Sequence, residues 1–161
     1  MTTSANTPVK LAVGDRAPAF DLPTADGRRI TTEDLRGAPA LIWFYPGANT
    51  PVCTRQAVDL RDHHRVFTDA GYRIVGISPD PLPEIQRFVR EQELPYTLAS
   101  DADHAAGHAY GTWGEKNMYG RVVTGTIRST FALDADGVIT FARYRVGTPK
   151  HIAVLREKLG I

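Results

Sequence analysis

Ala38-Pro-Ala-Leu-Ile-Trp-Phe-Tyr45 is one apolar run closed by Pro46 and Gly47. A run this short and this continuous predicts a β-strand buried on both faces, since a half-exposed strand would alternate with polar residues. The residues after it predict a helix whose start reads in detail. Thr50 is a favourable N-cap, and Pro51 sits at the first helical position, where its missing N–H costs nothing. Cys53 falls third, and Ala57, Leu60, His64 and Phe67 follow on one stripe. That stripe faces a core. Gly71 ends the helix as a left-handed cap. Cys53 is therefore expected in a first helical turn, on the inward side, at the mouth of the preceding strand.

Beyond this pair, Tyr72–Ser78 reads as a second buried strand and Leu82–Glu93 as a helix opened by prolines. Tyr96–Ala99 is a further strand and Asp103–Tyr110 a short helix. Ile127–Leu133 and Val138–Arg143 flank the turn Asp134-Ala-Asp-Gly137 as a hairpin. Thr148-Pro149 caps a last helix running to Leu159, with Ala153, Leu155 and Leu159 among its apolar positions. Before the decisive run, Val13–Leu22 holds a short edge strand around Phe20 and Leu22, and Asp26-Gly27 is a hairpin turn. Residues 1–8 read as a flexible tail. The expected architecture is α/β: a mixed β-sheet flanked by helices, in one domain over residues 1–161.

Composition narrows the function. The chain has 161 residues, 42% of them apolar, and its 19 Lys+Arg against 18 Asp+Glu leave a formal charge of +1. No basic arm or patch is present in the sequence, so neither nucleic acid nor an anionic membrane is an expected partner. No stretch approaches the ~18 apolar residues of a membrane span. The N-terminal residues show no basic start and no apolar h-region, so the expected location is the cytoplasm. The single cysteine excludes an intrachain disulfide, any metal site needing two cysteines, and a C-x-x-C redox pair.

A lone cysteine is ordinarily a small buried hydrophobe. Cys53 is placed differently, beside the unpaired N–H groups and positive dipole of a helix start. Such a site stabilises thiolate and predicts a thiol more acidic than the ordinary value of about 8.5. The same N–H groups can hold an electronegative substrate atom near the sulfur. Both features point to a nucleophile.

Pro46-Gly-Ala-Asn-Thr50-Pro-Val-Cys53 fits P-x-x-x-[TS]-x-x-C, and the wider stretch Phe44–Ala57 with Leu60-Arg-Asp62 resembles the peroxiredoxins of the PrxQ subfamily, also called bacterioferritin comigratory protein. The resemblance continues through Gly76-Ile-Ser78, Phe88, Thr97-Leu98, Ser100-Asp101, Trp113-Gly-Glu-Lys116, Ile127-Arg-Ser-Thr-Phe131 and Asp134–Gly137, and covers the chain from about residue 12 onward. It implies a thioredoxin-like fold with an N-terminal peroxiredoxin-type extension. It also implies a thiol-dependent peroxidase that reduces hydrogen peroxide or organic hydroperoxides, in antioxidant defence. By that resemblance Cys53 is the peroxidatic residue and becomes a sulfenic acid. Arg128 pairs with the thiolate and polarises the peroxide, Thr50 gives its hydroxyl to the sulfur or the peroxide oxygens, and Pro46 shields the sulfur from water. No cofactor and no metal are implied, and the subfamily leans to monomers.

Two departures bear on recycling. Subfamily members carry a resolving cysteine five residues after the first, where this chain has Val58, or in the short helix, where it has Gly107. The resemblance therefore implies a one-cysteine mechanism with an external reductant: a low-molecular-weight thiol, or a thioredoxin- or glutaredoxin-type protein.

Competing chemistries find less support. A cysteine hydrolase would need a base, but His64 lies about 16 Å along the helix from Cys53 and no hydrolase signature accompanies the thiol. A phosphatase loop, C-x5-R, would need Arg where Asp59 stands. His104 and His108 share a helical face but lack a third ligand, and are expected to be solvated. Asp134–Gly137 lacks the glutamate of a calcium loop. Trp113 and Tyr119 belong to an aromatic, glycine-containing stretch that lines the pocket or packs. A thioredoxin-fold redox sensor, in which Cys53 oxidises without turnover, is the non-enzyme alternative, and peroxide consumption with added thiols separates the two.

Overall fold

The computed structural model describes residues 10–48, 50–118, 120–146 and 151–161. At its centre lies β3, Ala40–Phe44, with all five residues buried. Its alternate side chains serve two cores. Leu41 and Trp43, with Tyr45 after them, pack with Cys53, Leu60, Phe67, Phe88 and Leu155 on one side. Ala40, Ile42 and Phe44 pack with Phe20, Leu22, Leu35, Tyr110 and Phe131 on the other. Each large apolar side chain so buried contributes about 1.5–3 kcal/mol of transfer free energy, which leaves no face on which a polar residue would be tolerated. The expectation from the apolar run is met.

The sheet order is β5-β4-β3-β8-β9. β3 runs parallel to β4, Arg73–Ser78, which in turn runs parallel to β5, Thr97–Ser100. On its other side β3 is antiparallel to β8, Ser129–Leu133, and β8 pairs antiparallel with β9, Ile139–Arg143. This is the expected mixed sheet, and the turn Asp134–Gly137 joins its last two strands. Phe44 pairs with Ile77 on β4 and with Ser129 on β8, so the end of β3 and the beginning of β8 share one rim.

The long helix expected after β3 is interrupted. α1 spans Pro51–Asp62 and α2 spans His64–Asp69, with His63 between them at φ −106° and ψ 8°. The His63 ring Nδ1 reaches the Asp59 carbonyl at 2.9 Å. The His63 N–H donates to the same carbonyl at 3.1 Å, so the last bond of α1 is kept and shared with the ring. The apolar stripe survives the break, since Leu60 and Phe67 are both buried. Gly71, at φ 89°, ends α2, and Tyr72 N–H closes on the Phe67 carbonyl across it.

α3, Leu82–Gln92, covers the face of β4 and β5, and α4, Ala105–Tyr110, begins two residues later than expected. The Asp101 carboxylate accepts the N–H groups of Ala106 and Gly107 and so caps α4 from outside it. α5, His151–Leu159, buries Ile152 and Leu155, while Ala153 is exposed. The expected cap Thr148-Pro149, the tail 1–8 and Tyr119 lie outside the described residues. Near the N-terminus, β1 (Asp21–Pro23) and β2 (Arg29–Thr31) form the hairpin expected around Asp26-Gly27.

One element was not anticipated. β6, Trp113–Met118, and β7, Arg121–Thr126, form a hairpin apart from the main sheet. Its strands are largely solvent-facing and mix charged, polar and glycine residues. They therefore carry no apolar alternation for a sequence reading to detect.

Candidate active site

α1 and the link between β7 and β8 meet at one sulfur. Cys53 occupies the third position of α1 and is fully buried. Arg128 enters from the link between β7 and β8, and its Nη1 donates to Cys53 Sγ at 3.2 Å. The same Nη1 donates to Gln56 Oε1 at 2.9 Å. Gln56 follows Cys53 by three residues, so the helix presents both on one face. It is 2% exposed, and its amide therefore fixes the guanidinium from within the protein.

The backbone around Arg128 is held from both sides. Ile127 N–H donates to the Thr112 carbonyl at 2.6 Å, and Val146 N–H donates to the Arg128 carbonyl at 2.8 Å. A permanent, planar cation is thus clamped against the sulfur. The arrangement suits an anionic sulfur, or an oxyanion built next to it.

Thr50 precedes α1 with extended backbone, φ −90° and ψ 152°. Its main-chain carbonyl accepts the Thr54 N–H at 2.8 Å, opening the helix. Its side chain does not cap: the hydroxyl proton goes to the Gly47 carbonyl at 2.9 Å. That bond orders the bend after β3 in place of the expected cap. Pro46 opens the bend, and Val52, beside Cys53, is exposed.

Further side chains crowd the same region and were not singled out from the sequence. Lys116 on β6 lays its stem where Gly125 has no Cβ, with Cε 3.3 Å from the position such a Cβ would take, and donates from Nζ to the Thr126 carbonyl at 2.8 Å. Burial lowers its pKa, the Arg128 charge adds to that, and Cys53 opposes it. Tyr45 is deeply buried, which pushes its phenol upward, with Asp80 and Cys53 adding to the rise. Gln56 was legible in principle from its spacing to Cys53. Lys116 was not, because its hairpin left no pattern.

His151 opens α5 behind Arg128. Its Nε2 shares a hydrogen bond of 2.9 Å with Thr130 Oγ1 on β8. Burial, then the charges of Arg143 and Arg128, push its pKa down to about 4 from 6.5. The folded state thus holds this ring neutral, while the unfolded chain binds its proton below about pH 6.5. Stability is complete above that pH and is lost as pH falls towards 4, by up to about 3 kcal/mol. His64, whose pKa burial also lowers, adds in the same direction. The urea midpoint should therefore drop between pH 7 and pH 4.5, and His151→Gln should flatten that drop. An equally steep drop in the variant would assign the effect elsewhere.

The remaining histidines have other surroundings. His63 reaches the Asp59 carbonyl, and His64 lies beside Tyr96 with ring centroids 6.1 Å apart. His104 is not simply solvated, since it stacks on Trp113 at 3.6 Å. His108 is exposed. Among the described residues no group of three His, Cys, Asp or Glu side chains is placed to hold a metal ion. Trp113 therefore packs on α4. Gly107 lies under it, and a Cβ added there would come within 3.0 Å of Trp113 Cβ, so this position has no room for a larger side chain.

Comparison with known proteins gives a consistent set of likenesses. The family model described as AhpC/TSA family matches residues 13–142. A protein of Mycobacterium tuberculosis H37Rv bearing the name peroxiredoxin is 47% identical over 152 residues, covering 94% of this chain and 97% of that one. Peroxiredoxin Bcp of Escherichia coli K12 is 43% identical over 129 residues, covering 80% and 83%. Among solved structures, the bacterioferritin comigratory protein of Xanthomonas campestris, described for its alkyl peroxide reduction activity, superposes with a TM-score of 0.81 at 33% identity, covering 88% and 90%.

Proposed function

This chain belongs to the AhpC/TSA family, as a thioredoxin-fold peroxiredoxin of the PrxQ or bacterioferritin comigratory type and hence a thiol-dependent peroxidase, and from that premise we propose that Cys53 is its peroxidatic residue. The observation that carries the proposal is the 3.2 Å contact from Arg128 Nη1 to Cys53 Sγ, at the start of a Pro-opened helix. The Cys53 thiolate attacks the hydroxyl oxygen of a hydroperoxide. An S–O bond forms as the O–O bond breaks, and the sulfur loses two electrons to become a sulfenic acid. The departing alkoxide or hydroxide takes up one proton and leaves as alcohol or water. Arg128 balances charge as it passes from sulfur to oxygen, Thr50 contacts the peroxide oxygens through its hydroxyl, and Pro46 keeps bulk water from the sulfur.

Both hydrogen peroxide and alkyl hydroperoxides are within reach of this chemistry, and we assign the chain as a single peroxiredoxin domain acting as a monomer in the cytoplasm. The single cysteine fits a one-cysteine cycle. With no second thiol in the chain, the sulfenic acid is reduced by an external thiol through a mixed disulfide, then freed by a second thiol. The reductant is a low-molecular-weight thiol or a thioredoxin- or glutaredoxin-type protein. A disulfide between two copies is disfavoured, because two fully buried sulfurs would have to meet with Cα atoms within roughly 7 Å.

Intact mass tests the cycle. One equivalent of peroxide should add one oxygen to a monomer, and added thiol should convert that species to a mixed adduct and then to the reduced protein. Excess peroxide without thiol should add further oxygens and end activity. A covalent dimer turning over at full rate would overturn the recycling scheme. Oxidation that no thiol donor reverses would turn the reading to a redox sensor.

A further inference from the structure

Asp80 follows β4 at the rim where β3 ends, and its carboxylate reaches across to the bend that carries Pro46. Ala48 N–H donates to Asp80 Oδ2 at 2.6 Å, and Ser78 Oγ donates to the same oxygen at 2.8 Å. The Asp80 carbonyl accepts the Ser100 hydroxyl at 2.6 Å, which fixes the backbone that presents this carboxylate. Among the described residues no salt bridge involves Asp80. Both bonds to this partly buried carboxylate thus come from neutral donors, one on β4 and one on the bend after β3.

What the carboxylate holds on the bend is one peptide group. Gly47 C=O and Ala48 N–H belong to the same planar unit. Its carbonyl accepts the Thr50 hydroxyl at 2.9 Å, and its N–H is gripped by Asp80. If that plane rotated, the Gly47 carbonyl would turn away and the Thr50 proton would be free to point elsewhere. The bond from Ala48 to the carboxylate is charge-assisted and so among the stronger ones available to a backbone N–H.

We propose that Asp80 is a positioning residue for the peroxide reaction: by locking the Gly47–Ala48 peptide it commits the Thr50 proton to Gly47, so that Thr50 offers substrate a lone pair and not a proton. A hydroperoxide attacked at its hydroxyl oxygen carries its own proton on that oxygen, and a Thr50 lone pair is the complementary partner. A Thr50 proton turned toward the substrate would instead meet the hydroperoxide's own proton, donor against donor, and that contact would be lost. The inference rests on the proposed role of Cys53 and deepens it.

A double-mutant cycle with Thr50→Val separates this role from general support of the fold. The second-order rate of Cys53 oxidation by hydrogen peroxide would be followed by tryptophan fluorescence, and iodoacetamide alkylation at pH 7 would monitor the thiolate independently. Asp80→Ala and Asp80→Glu should each slow oxidation about tenfold, because both lose the grip on Ala48. Alkylation should stay within about twofold, since Arg128 and the helix start are untouched. Asp80→Asn keeps an acceptor in place and should retain most of the rate. In the Thr50→Val background, Asp80→Glu should add no further loss. Should Asp80→Ala fail to fold, the Glu and Asn variants complete the same cycle. Wild-type oxidation rates in the Ala and Glu variants would overturn the inference, as would losses that multiply with that of Thr50→Val, or alkylation falling in parallel. Peroxide consumption unchanged in Cys53→Ser would instead remove the premise.

Discussion

Cys53→Ser should consume no peroxide above the uncatalysed rate in any thiol donor, while its urea midpoint stays near that of the parent. The chemistry requires a thiolate, and a serine hydroxyl is neither ionised near neutral pH nor oxidisable to a sulfenic acid. Stability is little changed because the swap exchanges one small atom at a helix start, although burying a hydroxyl there costs about 1 kcal/mol if it finds no partner. Steady-state peroxide consumption and a denaturation curve on the same preparation check both halves. Residual turnover in the serine variant would move the chemistry to another residue.

Arg128→Ala should be the next most damaging change, slowing Cys53 oxidation by about 10²–10³-fold, the usual scale for loss of one preorganised charge-stabilising donor. It removes the guanidinium that touches Sγ and leaves Gln56, itself buried, without its bonded partner. Alkylation of Cys53 by iodoacetamide at pH 7 should slow as well, since the thiolate loses its counter-charge. Arg128→Lys should recover only part of the rate. An ammonium restores the charge, but on a stem without the rigid planar group that aims Nη1 at both Sγ and Gln56 Oε1. Stopped-flow oxidation of the three proteins orders them wild type, Lys, Ala. An alanine variant as fast as wild type would place the activating charge elsewhere, with Lys116, whose ammonium also feels Cys53, the cation to examine.

The parts of this molecule legible in its sequence are those where a single physical demand fills several consecutive positions. Ala40–Phe44 has to satisfy two cores at once, so every residue is apolar and the strand is unmistakable. Thr50-Pro51 and Gly71 bound the helical segment by backbone geometry that few other residues supply. The break at His63 leaves no mark in the sequence, because the apolar stripe runs through it undisturbed. The β6–β7 hairpin escaped because its residues answer to solvent and to Lys116 more than to a core. For the site, Cys53 and Thr50 were local and readable, and Arg128 was placed by likeness to a family. Nothing in the sequence could bring Asp80 to Ala48, since that meeting depends on two parallel strands ending at the same level.

That common level has a broader consequence. Because β8 runs opposite to β3, its first residue stands beside Phe44 and its last beside Ala40. A strand of five residues separates its two ends by about 13 Å. The molecule thus has a working edge and a quiet edge. Pro46, Ser78, Asp80 and Ser129 crowd the first, while Asp134–Gly137 turns at the second. A reporter group or a short inserted peptide at Asp134–Gly137 has to respect only the turn and its backbone bonds to Arg16, Ala17 and Gly37. Any alteration at the other edge must satisfy the fold and the chemistry together.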